Sequence, residues 1–142
     1  MRALAIDVGE RRLGLAISDP SGTLARPLGT IVATGRADAI EQVVATIERL
    51  QGEDEGLDAI VVGMPSHLDG TPTTATPRVA AFIDALRGRT QVAIVTEDER
   101  LTSREAESRL AVRERDWRKR KATLDAAAAA IILQDYLDRR PR

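Results

Sequence analysis

The sequence predicts an α/β protein in which a mixed five-stranded sheet carries helices on both faces. Three short apolar segments come first, and segments with helical periodicity then alternate with further apolar strands. Only 2% of the residues are aromatic, so the core must consist of Ala, Val, Leu and Ile, which suits helices packed closely on a sheet. A length of 142 residues fits one domain over residues 1–142.

The N-terminal part predicts the three antiparallel strands of this sheet. Ala3–Val8 is a short apolar run, and Leu13–Ser18 is a second one that follows the polar turn at residues 9–12. Two such runs joined by a short polar turn are typical of a hairpin. A third strand is expected over Leu28–Val32, after a segment rich in Pro and Gly.

Helices and strands then alternate, which predicts parallel pairing for the later strands. Apolar residues recur at helical spacing over 38–50 and again over 76–86, and a glycine follows each run. The segments Leu57–Gly63 and Gln91–Thr96 are apolar and rich in β-branched residues, as buried strands are. Because βα alternation follows the antiparallel strands, the sheet should be mixed.

The C-terminal third predicts two more helices with a basic segment between them. A helix is expected from Thr102 or Ser103 to Leu110, because either residue can cap it. Arg113–Lys121 has no periodic apolar face, which favours a loop or a frayed helix. Thr123 is expected to cap the last helix, which runs through an alanine tract to about Leu137.

The residue types present restrict the chemistry. Cysteine is absent and His67 is the single histidine, which excludes disulfides, thiolate metal sites and zinc sites built on histidine. No segment approaches the roughly 18 apolar residues of a membrane span, so we expect a cytoplasmic protein with no membrane partner. Catalysis would therefore use carboxylates, hydroxyls, Lys or Arg, with a metal ion that prefers oxygen ligands.

The charge is unevenly distributed although the net charge is −1. Residues 38–58 carry seven acids and one base, whereas residues 100–121 carry nine bases and four acids. A basic face on a nearly neutral protein can bind phosphate backbones. Arginine supplies 19 of the 21 basic residues. The alternative explanation for this abundance of arginine is the amino-acid composition typical of the source organism, and not phosphate recognition.

Acidic residues lie at three points where predicted elements begin or end. Asp7 ends the first strand on the same face as Ala5, Glu97–Glu99 follow the strand that ends at Thr96, and Asp125 is expected in the first turn of the last helix. If these acids converge, they form an oxygen-only site for Mg²⁺ or Mn²⁺. Such a site suits the in-line displacement of a phosphodiester.

Each position also has a purely structural explanation. Asp7 can accept hydrogen bonds from turn amides, the acids at 97–99 can lie in a solvated loop, and Asp125 can complement a helix dipole. Ala128 and Ala129 share a helix face with Asp125, however, so that helix could approach the sheet closely. Close approach would bring the Asp125 carboxylate toward the strand ends.

Four blocks of residues, taken in order, resemble the motifs of the YqgF/RuvX family. They are DVGERRLGLA at 7–16, VGMP at 62–65 with DGT at 69–71, DERLTS at 98–103, and DAAAA at 125–129 with ILQDYL at 132–137. The resemblance implies an RNase H-like fold and divalent-metal-dependent endonuclease chemistry. It also implies catalytic roles for Asp7, Asp98, Glu99 and Asp125, and Mg²⁺ or Mn²⁺ held by Asp7, Glu99 and Asp125.

Members of that family are described as pre-16S rRNA nucleases, and the family is similar to Holliday junction resolvases. The resemblance therefore implies an endonuclease that processes the 5′ end of pre-16S rRNA during ribosome biogenesis. Branched DNA as the substrate, and a non-catalytic RNA-binding assembly factor, stay open as alternatives. We expect a monomer or a weak homodimer.

Basic residues near the predicted site are candidates for holding the nucleic acid. Arg11 and Arg12 in the first turn could clamp a phosphate with paired hydrogen bonds. Further substrate-binding candidates are Arg100 and the run Arg118, Lys119, Arg120 and Lys121. The run lies between the acids at 98–99 and Asp125, which would place it beside the site.

Overall fold

The computed structural model describes residues 1–99 and 117–140, and these form one mixed five-stranded sheet with helices on both faces. The elements in chain order are β1 (Ala3–Val8), β2 (Arg12–Ser18), β3 (Ala25–Val32), α1 (Arg36–Gln51), β4 (Ala59–Met64), α2 (Thr76–Arg87), β5 (Ala93–Asp98) and α3 (Trp117–Arg139). The predicted fold class is therefore confirmed.

The strands lie in the order β3-β2-β1-β4-β5, which is the RNase H-like arrangement. β1 pairs with β2 antiparallel and with β4 parallel, while β3 and β5 form the two edges. The carboxyl ends of β1, β4 and β5 consequently meet at one edge of the sheet. In sheets of this kind, ligands bind outside the carboxyl ends of the strands.

Several strand boundaries differ by one to three residues from the predicted ones, and two of these differences have a clear structural reason. β3 begins at Ala25, three residues before the predicted Leu28, because a bulge at Leu15/Ala16 extends its pairing with β2. Pro27 fits there because β3 is an edge strand. β5 continues to Asp98, past the predicted end at Thr96, because Glu97 pairs with Gly63 and Asp98 pairs with Met64 of β4.

The start of the last helix was predicted wrongly. α3 begins at Trp117, so Thr123 lies inside the helix and does not cap it. Arg and Lys are good helix formers, and the basic residues 118–121 therefore continue the helix. A loop or a frayed helix was expected there. The predicted helix from Thr102 to Leu110, and residues 113–116, lie outside the described residues.

The two faces of the sheet carry side chains of different size. One face bears large aliphatic residues such as Leu4, Ile6 and Ile60, which pack with α1 and α2 residues in the main core cluster. The opposite face bears Ala3, Ala5, Ala16, Ala59 and Val61, and it packs against α3 through Ala129, Ile132, Leu133 and Leu137. Small residues on both partners let α3 lie close to the strands.

Two glycines set how closely α3 approaches the sheet. A Cβ atom at Gly14 of β2 would lie 1.9 Å from the backbone oxygen of Asp125, and one at Gly63 of β4 would lie 2.6 Å from Cδ1 of Ile132. Real Cβ atoms do not approach so near, so any other residue at Gly14 would displace the helix backbone. Gly14 thus positions α3 at Asp125.

Among the helices of the described ranges, none has the length and apolar character needed to cross a membrane.

Replacing Gly14 with Ala should lower the free energy of unfolding by about 1–3 kcal/mol, because the added methyl group overpacks the contact with α3. Gly29→Ala is the matched control, since Gly29 lies opposite Leu15 on β3 and a Cβ there meets nothing within 4 Å. The control should change stability by less than about 1 kcal/mol. Urea unfolding of both variants measures the difference, and equal losses would contradict the proposed contact.

Candidate active site

The acids identified in the sequence lie at the edge where β1, β4 and β5 end. Asp7 is near the end of β1, and strand alternation places it on the α3 face with Ala3 and Ala5, as predicted. Its cross-strand partner is Gly14. Asp98 ends β5, and the backbone N–H of Glu99 donates to the carbonyl of Met64 at 3.0 Å, which continues the ladder by one residue.

The three consecutive acids at 97–99 have three different partners. Glu97 is 8% exposed and forms an ion pair with Arg139 at the end of α3. Asp98 is exposed and accepts a hydrogen bond of 2.5 Å from the Ser66 hydroxyl in the loop after β4. Glu99 reaches Asp7 instead. The strand geometry, which sends alternate side chains to opposite faces, separates charges that the sequence places side by side.

Asp7 and Glu99 are half-buried and form a carboxyl pair joined by a side-chain hydrogen bond. Burial is the largest cause that raises the pKa of Glu99, to about 9, and the hydrogen bond and negative charge of Asp7 add to it. Burial likewise raises the pKa of Asp7, while the bond to Glu99 opposes that rise. Glu99 therefore keeps its proton near neutral pH and donates a hydrogen bond to the Asp7 carboxylate.

Asp125 lies beside this pair for a reason different from the one predicted. It is the ninth residue of α3, so the expectation that it occupies the first helical turn was wrong. The helix dipole acts only within the first turn, so it does not explain an acid here. The backbone of Asp125 rests on Gly14, the strand partner of Asp7, and its Oδ2 is buried.

The two carboxyls of the pair are suitable ligands for a hard metal ion. Asp7 and Glu99 offer oxygen ligands only, and two half-buried carboxyls in contact are stable only when a proton or a cation offsets one charge. Within residues 1–99 and 117–140, no group of three Asp, Glu, His or Cys side chains is arranged to hold a metal ion. The residues present thus fit a hard cation as a pair of ligands, with Asp125 nearby but outside the pair.

The predicted substrate-binding residues lie in three separate segments of the chain. Arg11 is exposed in the turn between β1 and β2, and Arg12, the first residue of β2, is half-buried. The run 118–121 belongs to the first turns of α3. Arg100 lies outside the described residues. His67 is exposed in the loop after β4.

Sequence reasoning missed two residues that shape the site. Ser66 holds the Asp98 carboxylate, and Gly63 leaves room for Glu99, since a Cβ at Gly63 would lie 3.0 Å from Oε2 of Glu99. Gly63 and Ser66 fall in or directly after the block VGMP, whose glycine could have indicated a close approach. No signal in the sequence pointed to Ser66.

Comparisons with known proteins agree with the motifs. The model of a family described as "RuvX: Holliday junction resolvase" matches residues 1–139. A protein of Roseiflexus sp. (strain RS-1), named "Putative pre-16S rRNA nuclease", is 40% identical over 137 residues, which are 96% of this chain and 94% of that protein. A protein of the same name from Chloroflexus aurantiacus (strain ATCC 29366 / DSM 635 / J-10-fl) is 42% identical over 137 residues, 96% of this chain and 86% of that protein.

Solved structures also resemble the chain. The structure described as T. thermophilus RuvC in complex with a Holliday junction substrate matches with a TM-score of 0.47 and 15% sequence identity. The match covers 90% of this chain and 91% of that chain.

The carboxyl pair predicts that stability falls as the pH rises from about 4.5 to about 9 when no metal is present. The pKa of Glu99 is about 9 in the folded protein and near 4.5 in the unfolded chain, so between these values the folded state binds more protons. The free energy of unfolding should then fall as pH rises, by at most about 1.4 kcal/mol per pH unit. Urea unfolding in EDTA from pH 5.5 to 8.5 measures this slope.

Glu99→Gln should flatten the same slope, because the amide cannot titrate. Asp98→Asn is the control variant, because Asp98 is exposed and contacts Ser66 on the other side of the strand. Its slope should match that of the original protein. An unchanged slope in Glu99→Gln would show that the pair does not share a proton.

Proposed function

The chain belongs to the RuvX family, and on that basis we propose that it is a metal-dependent endonuclease that hydrolyses phosphodiester bonds of pre-16S rRNA. The family match over residues 1–139 agrees with the resemblance read from the motifs. The relatives named above support a nuclease in rRNA processing. A cytoplasmic site of action fits this role.

The observation that carries the proposal is the half-buried pair of Asp7 and Glu99 at the carboxyl edge of the sheet. Burying two carboxyls in contact costs free energy, and no feature of the core requires it. This free-energy cost is explained if the pair binds a ligand. Asp125, placed over Gly14 by the packing of α3, is the third acid within the same region.

Each of these acids receives a role in this proposal. Asp7 and Glu99 would hold Mg²⁺ or Mn²⁺ through carboxylate oxygens, and Asp125 would act from its position over Gly14, beside this pair. Such a cation, when bound, supplies Lewis-acid stabilisation of charge on the phosphate. Glu99 must give up its proton before it can act as an anionic ligand. Asp98, held by Ser66, would orient the loop after β4 and take no part in the chemistry.

The basic residues would hold the nucleic acid against this edge. Arg11 and Arg12 lie one turn beyond Asp7 and could contact the phosphate backbone next to the bond that is cut. Arg100 and the run 118–121 would add further phosphate contacts. Contacts of this kind fix register and affinity and carry no sequence information.

A branched DNA substrate is the second candidate, and the description of the matched family favours it. The same acids could serve both reactions. Purified protein should be incubated with Mn²⁺ and either a pre-16S rRNA fragment with its 5′ leader or a synthetic four-way junction. Cleavage of the rRNA alone supports the proposal, cleavage of the junction alone supports the second candidate, and cleavage of neither supports a non-catalytic RNA-binding factor.

Asp7→Asn and Glu99→Gln should each reduce the cleavage rate by at least about 100-fold, because an amide cannot hold the cation as a carboxylate does. Asp98→Asn is the matched control, since it removes the same charge one residue away, and it should retain activity within about threefold. Single-turnover rates with saturating rRNA measure the three variants. Activity of the original protein should disappear in EDTA and return with Mg²⁺ or Mn²⁺.

Two results would contradict the assignment. Rates near the original value in Asp7→Asn would remove the carboxyl pair from the mechanism. A collapse of activity in Asp98→Asn together with normal activity in Glu99→Gln would show that Asp98 is the catalytic acid and Glu99 is not.

Replacing Arg118, Lys119, Arg120 and Lys121 with Ala should weaken substrate binding and leave the saturated rate unchanged. Each phosphate contact contributes about −0.7 on single strands to the slope of log affinity against log salt. The quadruple variant should flatten that slope by roughly two units, as measured by fluorescence anisotropy with labelled RNA. An unchanged slope would show that the run is an ordinary solvated surface.

A further inference from the structure

A small cleft opens beside the end of β1 on the face opposite Asp7. It has a volume of about 90 Å³ and lies between the turn after β1, the start of α1 and the side of α2. Its polar rim consists of Gly9, Glu10, Gly35, Arg36 and Arg78, and apolar residues that include Phe82 form its floor. None of these residues was a candidate in the sequence.

The rim of the cleft is rich in hydrogen-bond donors. Arg36 and Arg78 supply two guanidinium groups, and Glu10 is the one acid among the lining residues. Nη1 of Arg78 lies 3.7 Å from Oε1 of Glu10, whose side chain is 83% exposed, so this ion pair is weak. Nε of Arg78 is buried and has no hydrogen-bond partner among the described residues. The Arg78 side chain as a whole is 38% exposed, so an acceptor from outside can reach this N–H.

The start of α1 adds backbone donors to the same cleft. Gly35 precedes this 16-residue helix and forms no side-chain cap. Asp38 in the first turn does not cover the helix end, because its Oδ2 accepts hydrogen bonds from the backbone N–H of Thr34 at 2.9 Å and from Gln42 Nε2 at 3.1 Å. The first N–H groups of α1 are thus left for an acceptor from outside.

We propose that this cleft is a phosphate subsite that holds a backbone phosphate of the nucleic acid next to the bond that is cut. The inference rests on the proposed nuclease function and names a second contact for the same substrate. Gly9 and Glu10 follow Asp7 by two and three residues, so the cleft and the carboxyl pair lie on either side of one strand end. A strand of nucleic acid that crosses this edge of the sheet reaches both.

The chemistry of the cleft selects a phosphate rather than a base or a whole nucleotide. Two guanidinium groups and a helix start recognise a tetrahedral anion. A space of about 90 Å³ is well below the roughly 300 Å³ at which pockets for larger ligands begin. Among the lining residues only Phe82 is aromatic, and it forms part of the buried core.

The first experiment uses inorganic phosphate as the probe at constant ionic strength. Amide chemical shifts of Gly9, Gly35 and Arg36 should move on titration, and Arg36→Gln and Arg78→Gln should each weaken binding by about tenfold. Arg87→Gln is the matched control, because Arg87 lies in the last turn of α2 and is paired only loosely with Asp84 at 4.0 Å. Circular dichroism of each variant checks its fold, and Arg78→Lys provides a second test if Arg78→Gln is unfolded.

The second experiment separates a nucleic-acid phosphate from free phosphate. In an Asp7→Asn background, which binds without cutting, the double variant Arg36→Gln/Arg78→Gln should flatten the salt slope for single-stranded RNA by about 0.7. Phosphate binding together with an unchanged salt slope for RNA would show a site for free phosphate and would overturn the proposal. Amide chemical-shift changes that persist in both Arg→Gln variants would overturn it as well. If the original protein binds RNA normally but does not cleave it, the proposed nuclease function fails. That result is distinct from the outcomes that test the phosphate subsite.

Discussion

The contact between α3 and the backbone of β2 at Gly14 is the constraint on which the site depends. Because no side chain stands at Gly14, the backbone oxygen of Asp125 can lie where a Cβ would be, directly above the strand partner of Asp7. The alanines on the adjoining strands and on α3 allow the same close approach along the whole helix. Packing of small residues therefore brings an acid from the C-terminal helix to an acid on the first strand.

The carboxyl pair at the same edge of the sheet has an unfavourable electrostatic free energy that a compact core does not require. Asp7 and Glu99 share a proton because burial and mutual repulsion oppose two charges. The large aliphatic face against α1 and α2 supplies most of the apolar burial and can offset this cost. Stability is thus provided on one face of the sheet, and the carboxyl pair that we propose as a cation site lies on the other.

The sequence predicted the sheet well, because period-two apolar runs and helical periodicity depend on local pattern. It also placed Asp7 correctly on the α3 face, since alternation from Ala3 and Ala5 determines the direction of its side chain. It could not select Glu99 among three consecutive acids, because that choice depends on how far β5 pairs with β4. Nor could it reveal the cleft at Arg36 and Arg78, which arises from tertiary packing of α1 and α2 at the turn after β1.

In the proposed mechanism, a divalent cation replaces the proton shared by Asp7 and Glu99. Calorimetric titration with Mn²⁺ at pH 7 in buffers of different ionisation enthalpy counts the protons released on binding. Because the pKa of Glu99 is about 9, binding of each ion to the original protein should release about one proton. Binding to Glu99→Gln should release none. Mn²⁺ binding without proton release, or the same release in both proteins, would contradict it.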